Sequence, residues 1–199
     1  MASSSSRSKD QKNDEKKEDE EEEIKLPPPL GYKFFPSEEI LMDYVKLRNG
    51  IVDGTRKLPL HVIPTIENLY SFNPDQIPFH KFIGGVEGEW FFFTNSRSDD
   101  HNLVTPNGYW HPKTLPIEIE LENTIIGLKQ TFTFHWGIPS NGKESKFLIH
   151  EYKLNKEGGN FVACRVRDME AFSKGQKEEE DWNSDFGEVH EGDSEDDEN

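Results

Sequence analysis

Histidine and carboxylate side chains are the first residues of this sequence that could do metal or acid–base chemistry. The chain has seven histidines, and His101 and His111 are close enough along it to suggest a metal corner. Neither is accompanied by cysteines or further histidines at the spacing of a zinc site. His150 precedes Glu151, but no second histidine follows at the spacing of a zinc-protease helix. The sequence therefore predicts no metal.

A nucleophile is the other common requirement for catalysis, and Cys164 is the only cysteine of the chain. It alternates with Val162 and Val166, which indicates a buried structural thiol rather than a reactive one. The sequence shows no glycine-rich phosphate loop and no setting for a Ser-His-Asp triad. We therefore expect neither an enzyme nor a cofactor. A single cysteine excludes an intrachain disulfide, which fits a reducing compartment.

A third group of polar residues lies in "PNGYWHPKT", residues 106–114. A Pro-Asn-Gly turn enters Tyr109 and Trp110, and histidine, proline, lysine and threonine follow. The stretch has three interpretations: a hairpin of the core, a metal corner, or a polar edge that contacts another molecule. The metal corner lacks ligands, and the residues alone leave the other two open.

A helix at the start of the folded region is needed to support these residues. Ser37 is predicted as its N-cap, with Glu38 and Glu39 in the first turn, where the helix dipole favours acids. Apolar residues at helical spacing follow, and the Asn-Gly pair at 49–50 ends the helix. A second short helical or turn segment is predicted over 65–78, where prolines interrupt the chain.

The hydrophobic period then changes from that of a helix to that of a strand. Alternating residues predict strands in five stretches: 89–94, 116–122, 129–136, "SKFLIHEYKL" (145–154) and "NFVACRVRD" (160–168). The turn-rich connections between the last of them suit hairpins. Helices first and strands after them predict an α+β domain with a single twisted antiparallel β-sheet flanked by helices.

Negative charge is concentrated at the two ends of the chain. The formal net charge is −16, of which residues 26–168 carry only −2. We expect residues 1–25 and 169–199 to be disordered tails around one folded domain, since such segments cannot bury enough apolar surface to fold. Because the middle is nearly neutral, the net charge does not exclude nucleic acid as a partner.

The C-terminal tail also carries apolar residues among its carboxylates, namely Trp182, Phe186 and Val189. This pattern is typical of regulatory or activation segments that bind co-regulators, and a solvated tail with stray aromatic residues is the other interpretation. No apolar run of the sequence reaches the length of a membrane span, and the N-terminus has no apolar signal region. We expect a soluble, intracellular protein that does not contact a membrane.

Five stretches, in order, resemble the motifs of the plant NAC-domain transcription factors. They are "LPPPLGYKFFPSEEILMDYV", "NLYSFNPDQIP", the pair "EWFFFTNSR" and "GYWHPKT", "IIGLKQTFTFHWGIPSNGKESKFLIHEYKL" and "NFVACRVRD". The resemblance covers residues 26–168. It implies a NAC-like twisted antiparallel sheet and a nuclear location. It also implies a homodimer or a heterodimer with a related NAC protein. It also implies that a strand edge binds double-stranded DNA in the major groove.

For the dimer, the resemblance implies an interface in the first motif. Lys33 and Glu39 match the family positions that form an ion pair across the two subunits, and Leu30 lies in the same motif. Because lysine cannot make the two-pronged contact that arginine makes with a carboxylate, we expect a weaker pair.

For DNA, the resemblance implies ten candidate contact residues: Arg97, Trp110, His111, Lys113, Thr114, Lys129, Lys143, Lys146, Arg165 and Arg167. The edge departs from the family pattern, because histidine stands at 111 where lysine is usual and the glycine after the threonine is absent. Asp99 and Asp100 precede the edge and repel phosphate, and three glutamates follow it. We therefore expect weaker or altered DNA binding relative to the family. The alternative is a dimerising NAC-like interaction protein that modulates related factors, with weak or no DNA binding.

Overall fold

A computed structural model describes residues 33–51, 58–97, 103–155 and 159–185 of this chain, with side chains to residue 177. Within these ranges, no helix is long and apolar enough to cross a membrane. The sequence-based predictions that fall outside them concern Leu30, Asp99, Asp100, His101, Phe186, Val189, the side chain of Trp182 and residues 1–25.

The first helix, α1, runs from Glu38 to Arg48, where the sequence predicts it. The Ser37 hydroxyl accepts a hydrogen bond from the Ile40 backbone N–H (3.3 Å), which satisfies one of the otherwise unpaired amides of the first turn. One face of the helix is buried and carries Leu41, Met42, Tyr44 and Val45. That face packs on the sheet, so burial of a single apolar stripe fixes the helix in place.

Between residues 58 and 88 the chain forms four single turns of 3-10 helix, of which two lie within the predicted segment 65–78: Leu60–Val62, Leu69–Ser71, Pro74–Gln76 and Phe79–Lys81. Prolines interrupt the segment, and a proline cannot donate the backbone hydrogen bond that a longer helix needs. Leu69 and Tyr70 from these turns are buried, and the Tyr70 ring contacts the Phe132 ring edge to face at 5.4 Å. The turns therefore cover the face of the sheet that α1 leaves uncovered.

The predicted fold class is confirmed: the described residues form a curled antiparallel sheet of seven strands with few helices. Its strands are β1 (Glu89–Asn95), β2 (Val104–Thr105), β3 (Gly108–Pro112), β4 (Ile117–Leu121), β5 (Thr124–Trp136), β6 (Lys143–Lys153) and β7 (Phe161–Asp168). Their order is β1-β7-β6-β5-β3-β2, and β4 pairs with β5 off this path. All of these pairs are antiparallel.

The long strand β5 determines where the candidate functional residues lie. One of its edges pairs with β6, and the other edge is shared, with β4 along the first half and β3 along the second. The chain passes from β3 to β4 opposite Thr131, whose carbonyl oxygen accepts a hydrogen bond from the Lys113 N–H (2.7 Å). β2 pairs with the first half of β3, so the end of β3 from His111 onward and then β4 follow each other along one side of the sheet.

Helix α2, Met169–Asp185, is where the structure differs from the predicted unstructured tail at 169–199. The Asp168 carboxylate accepts hydrogen bonds from the backbone N–H groups of Glu170 (3.1 Å) and Ala171 (3.3 Å) and so caps the helix. The Phe172 ring lies against the Arg167 guanidinium, 4.3 Å from centroid to Cζ. The acidic sequence does not predict this helix, because it has no broad apolar stripe. The cap and the contact with β7 hold its N-terminus instead.

Candidate nucleic-acid interface

Strand β3 presents one face of ring side chains at the side of the sheet. Tyr109 stacks on His135 with ring centroids 5.1 Å apart and planes 18° apart, and His111 lies 5.6 Å from the same histidine ring. Their common face follows from register, because Tyr109 pairs with His135 across the β3–β5 ladder. His111 is exposed at the end of this row. An exposed imidazole beyond the β2–β3 pairing can contact a nucleotide base or a phosphate.

Trp110 points to the opposite face and belongs to the core. Only 2% of it is exposed, and its indole N–H donates a hydrogen bond to the Phe72 carbonyl oxygen (3.2 Å). It therefore holds β3 against the 3-10 turns. Contact of Trp110 with DNA stays a prediction. The geometry supports an indirect role, in which the buried ring fixes the position of β3.

Lys113 and Thr114 occupy the junction between β3 and β4. The Lys113 ammonium makes an ion pair with the Glu144 carboxylate of β6 (3.0 Å), and each side chain is about half exposed (52% and 55%). The hydrogen bond from Lys113 lowers the pKa of the Glu144 carboxyl below its ordinary value. The Thr114 hydroxyl accepts a hydrogen bond from the Thr131 N–H (3.2 Å), which fixes the junction on β5.

Lys129 lies on β5, and its side chain contacts the first turn of α1. Its ammonium forms a short hydrogen-bonded ion pair with Glu38, which also accepts from the Tyr152 hydroxyl (3.2 Å). Burial alone would raise the pKa of the Glu38 carboxyl, but the hydrogen bond and charge of Lys129 lower it below its ordinary value. Lys129 therefore ties the sheet to α1, with part of its side chain still exposed.

Lys146 and Lys143 lie on β6, beyond the Lys113 junction. Lys146 bridges the Asp168 carboxylate (3.0 Å) and the Glu170 carboxylate (2.9 Å) at the start of α2, and these hydrogen bonds raise its pKa. Lys143 is exposed at the beginning of the strand, and no ion pair to it is found among the described residues. Lys143 is therefore the candidate cation most available to a partner.

Arg97 is largely covered by the sheet and the 3-10 turns. Its guanidinium donates to the Glu151 carboxylate (3.1 Å) and lies over the rings of Tyr70 (4.2 Å) and Phe132 (4.8 Å). Cation–π contacts of this kind and a buried carboxylate hold an arginine in place rather than leave it to solvent. Contact of Arg97 with phosphate stays a prediction that would require this network to open.

Arg165 and Arg167 converge on Glu89, a carboxylate with no exposed surface. The Glu89 Oε2 atom accepts a hydrogen bond from the Arg167 Nε–H and lies 3.9 Å from Arg165 Nε. Arg165 also donates to the Pro36 carbonyl oxygen (3.0 Å), which ties β7 to the start of α1. Arg165 is thus buried and Arg167 partly buried, and their contact with DNA stays a prediction.

The structure therefore brings together only part of the predicted DNA set. His111, Lys113 and Thr114 share the strand edge, whereas most of the other candidate cations lie against carboxylates of their own chain. The sequence did not reveal that these cations pair with the carboxylates of Glu38, Glu89, Glu144 and Glu151. No local signal could reveal these pairs, because each joins residues at least 31 positions apart along the chain.

Two of the three predicted dimer residues are described: Lys33 precedes α1, and Glu39 lies in its first turn. Lys33 and Glu39 are both exposed, and Phe35 between them exposes 57% of its surface. The neighbouring Phe34 is buried and contacts the Tyr44 ring edge to face at 5.7 Å, which fixes the segment on the domain. Opposite charges beside an exposed aromatic ring are suited to a symmetric contact.

A curled antiparallel sheet with α1 and short 3-10 turns packed on its faces defines an α+β domain. Comparison with known proteins identifies its family. The family model described as "No apical meristem (NAM) protein" matches residues 28–154. The chain belongs to this family.

Curated plant relatives carry the NAC name. NAC domain-containing protein 96 of Arabidopsis thaliana is 35% identical over 157 residues, covering 71% of this chain and 51% of the relative. NAC transcription factor 29 of Arabidopsis thaliana is 31% identical over 172 residues (78% and 61%), and NAC domain-containing protein 1 of Solanum lycopersicum is 31% identical over 159 residues (71% and 53%). The chain thus spans about half the length of the curated relatives it matches. Members of the family are transcription factors rather than enzymes.

Proposed function

We propose that this protein is a nuclear transcription regulator that acts as a dimer and binds double-stranded DNA in a sequence-specific manner. The observation that carries the proposal is the end of β3 beyond its pairing with β2, where His111 precedes the junction that carries Lys113 and Thr114. A strand edge fits the width of the major groove, where base-edge donors and acceptors distinguish the four base pairs. Family membership supports the same assignment.

Each edge residue has a distinct role in this proposal. His111 reaches a base edge or a phosphate, and Lys113 and Lys143 contact phosphates. Lys113 must first leave Glu144, so DNA binding exchanges one ion pair for another instead of adding a new one. Since affinity for DNA grows with the number of phosphates neutralised, the protein is expected to bind DNA weakly compared with a chain whose cations are unpaired.

A second candidate function follows from the same ion pairs. A domain that dimerises but reads DNA poorly would modulate related factors by forming heterodimers with them. The Lys113–Glu144 pair favours this alternative, because it cancels charge at the centre of the edge. Co-regulators bound by the acidic segment 169–199 are part of both candidates.

Substituting His111→Lys is expected to raise the affinity for duplex DNA about tenfold, because one charge-assisted phosphate contact is gained. Duplexes would first be selected from a random pool with the full chain and then titrated by fluorescence anisotropy at several salt concentrations. The slope of log affinity against log salt should steepen by about 0.9.

The matched control for His111→Lys is His80→Lys, which adds the same charge at an exposed site in the 3-10 turns, away from β3. It is expected to leave both affinity and slope close to those of the unchanged chain. Equal gains in the two variants would mean that the edge does not contact DNA. Failure of the selection to enrich any duplex would favour the modulator function.

Reversing the charge in Lys33→Glu is expected to weaken the dimer about tenfold, because two symmetric surface pairs are lost and each contributes up to about 1 kcal/mol. The double variant Lys33→Glu with Glu39→Lys re-creates opposite charges and should restore the dimer. Sedimentation velocity over a concentration series measures both. Equal dissociation constants for the single variant and the unchanged chain would place the interface elsewhere.

A further inference from the structure

The outer edge of β4 is a feature that DNA binding does not use. Among the described residues β4 pairs only with β5, so its other edge presents unpaired backbone N–H and C=O groups. Strand edges in this state can accept an added strand from another chain.

The hairpin that carries this edge is well defined. Ile119 is buried next to Gly127 of β5, and a side chain at that glycine would collide with Met42 of α1. Glu122 and Asn123, the two turn residues, both have positive φ (49° and 63°), as a tight hairpin turn requires. The edge is therefore held rigidly in an extended form that is ready to pair.

The side chains of this edge alternate in character. Ile117 and Leu121 point to one face and expose 55% and 38% of their surface, and Leu115, just before the strand, exposes 85%. Glu118 and Glu120 are exposed on the other face. An added strand would therefore meet carboxylates on one face and aliphatic side chains on the other.

The carboxylates decide which partner fits. Phosphates of DNA are repelled by Glu118, Glu120 and the nearby Glu122. A second copy of β4 is disfavoured as well, because antiparallel pairing would set like charges opposite or diagonal to one another. A strand with cationic side chains complements both the charge and the alternation.

We propose that β4 is a docking edge for an extended basic segment of another protein, in which cationic and apolar residues alternate. The segment adds as a strand beside Ile117–Leu121. Its cations lie next to Glu118 and Glu120, and its apolar side chains extend the patch of Ile117 and Leu121.

The test uses the full chain and a labelled synthetic octapeptide of alternating lysine and valine. Fluorescence anisotropy is expected to detect binding that weakens with salt. Hydrogen exchange should show protection of amides within Ile117–Leu121. A peptide with the same composition in two blocks, four lysines and then four valines, should bind at least tenfold more weakly, since it cannot match the alternation.

Charge reversal supplies the variant arm of the test. Glu118→Lys with Glu120→Lys should weaken binding of the lysine–valine peptide at least tenfold and create binding of an alternating glutamate–valine peptide. The control Glu67→Lys with Glu87→Lys changes the net charge equally at exposed sites outside β4 and should alter neither. Circular dichroism checks that both variants fold.

Three outcomes would overturn the proposal. Equal binding of the alternating and block peptides would indicate only attraction to the acidic chain as a whole. Binding without protection of β4 would place the site elsewhere. Absence of peptide binding, together with self-association when Glu118 and Glu120 are replaced by glutamine, would mean that the acids only prevent contact between copies.

Discussion

Replacing Glu89 by alanine is expected to lower the free energy of unfolding by about 3–5 kcal/mol, because the change leaves buried cations without their carboxylate. Glu89 has no exposed surface, Arg167 donates a hydrogen bond to it, and Arg165 lies 3.9 Å away. Arg165 is itself buried, so solvent cannot replace the lost partner. The effect is therefore far larger than that of a surface ion pair.

Urea denaturation at neutral pH measures this effect. Glu87→Ala is the matched control, since Glu87 is exposed two residues earlier, and its effect should stay within about 0.5 kcal/mol. Glu89→Gln keeps the shape but removes the charge, and it should fall between the two. A loss below about 1 kcal/mol in Glu89→Ala would contradict the structural role of the cluster.

The same variant separates two roles of the arginines. If Arg165 and Arg167 serve mainly to contact phosphate, removal of Glu89 should strengthen DNA binding at little cost in stability. If the cluster holds β1 to β7, stability falls and DNA affinity does not rise. The geometry favours the second result, because Arg165 also donates to the Pro36 carbonyl oxygen.

Acidification from pH 6.5 to pH 4 is expected to remove up to about 3 kcal/mol of stability through His150 alone. Burial lowers the pKa of His150 to about 4, and the positive charges of Arg167, Lys129 and Arg165 add to this effect, while Glu38 opposes it. The folded pKa thus lies below the unfolded value of 6.5. Below pH 6.5 the unfolded chain binds a proton first, so stability falls as pH falls.

Unfolding free energies of the unchanged chain and of His150→Gln, measured in urea at several pH values from 4 to 7, test this expectation. Glutamine retains a polar group near the Thr131 hydroxyl, which lies 3.0 Å from His150 Nδ1. The variant should lose less stability on acidification. Carboxylates titrate in both proteins, so their contribution cancels in the comparison. Parallel curves would show that His150 does not control the pH response.

Much of the fold could be predicted from local pattern. The cap at Ser37 and the apolar spacing after it predict α1, and alternation predicts all of the described strands except β2 and β3. The antiparallel arrangement follows from hairpin turns, since these connect neighbours along the chain. Such signals are readable because each depends on residues a few positions apart.

The candidate site was predicted less completely. The resemblance to the family motifs implies the edge at His111, Lys113 and Thr114. It also implies Trp110 as a DNA contact, but the sequence did not reveal that this side chain is buried on the opposite face. The Asp168 cap and the packing of Phe172 on Arg167 also form helix α2 where composition predicted a disordered segment. Local propensity is weak in that segment, and contacts with β7 outweigh it.

The sequence by itself determined the family, the order of helix and strands, and the position of the polar edge. Only the tertiary structure decided which charges remain available there, because Glu144 reaches Lys113, and Glu89 reaches Arg167, through pairings between distant strands. It also decided that, within the described part of the chain, the outer edge of β4 is unpaired and acidic. Periodicity records the face on which a residue lies, whereas its partner depends on register between segments far apart in the chain.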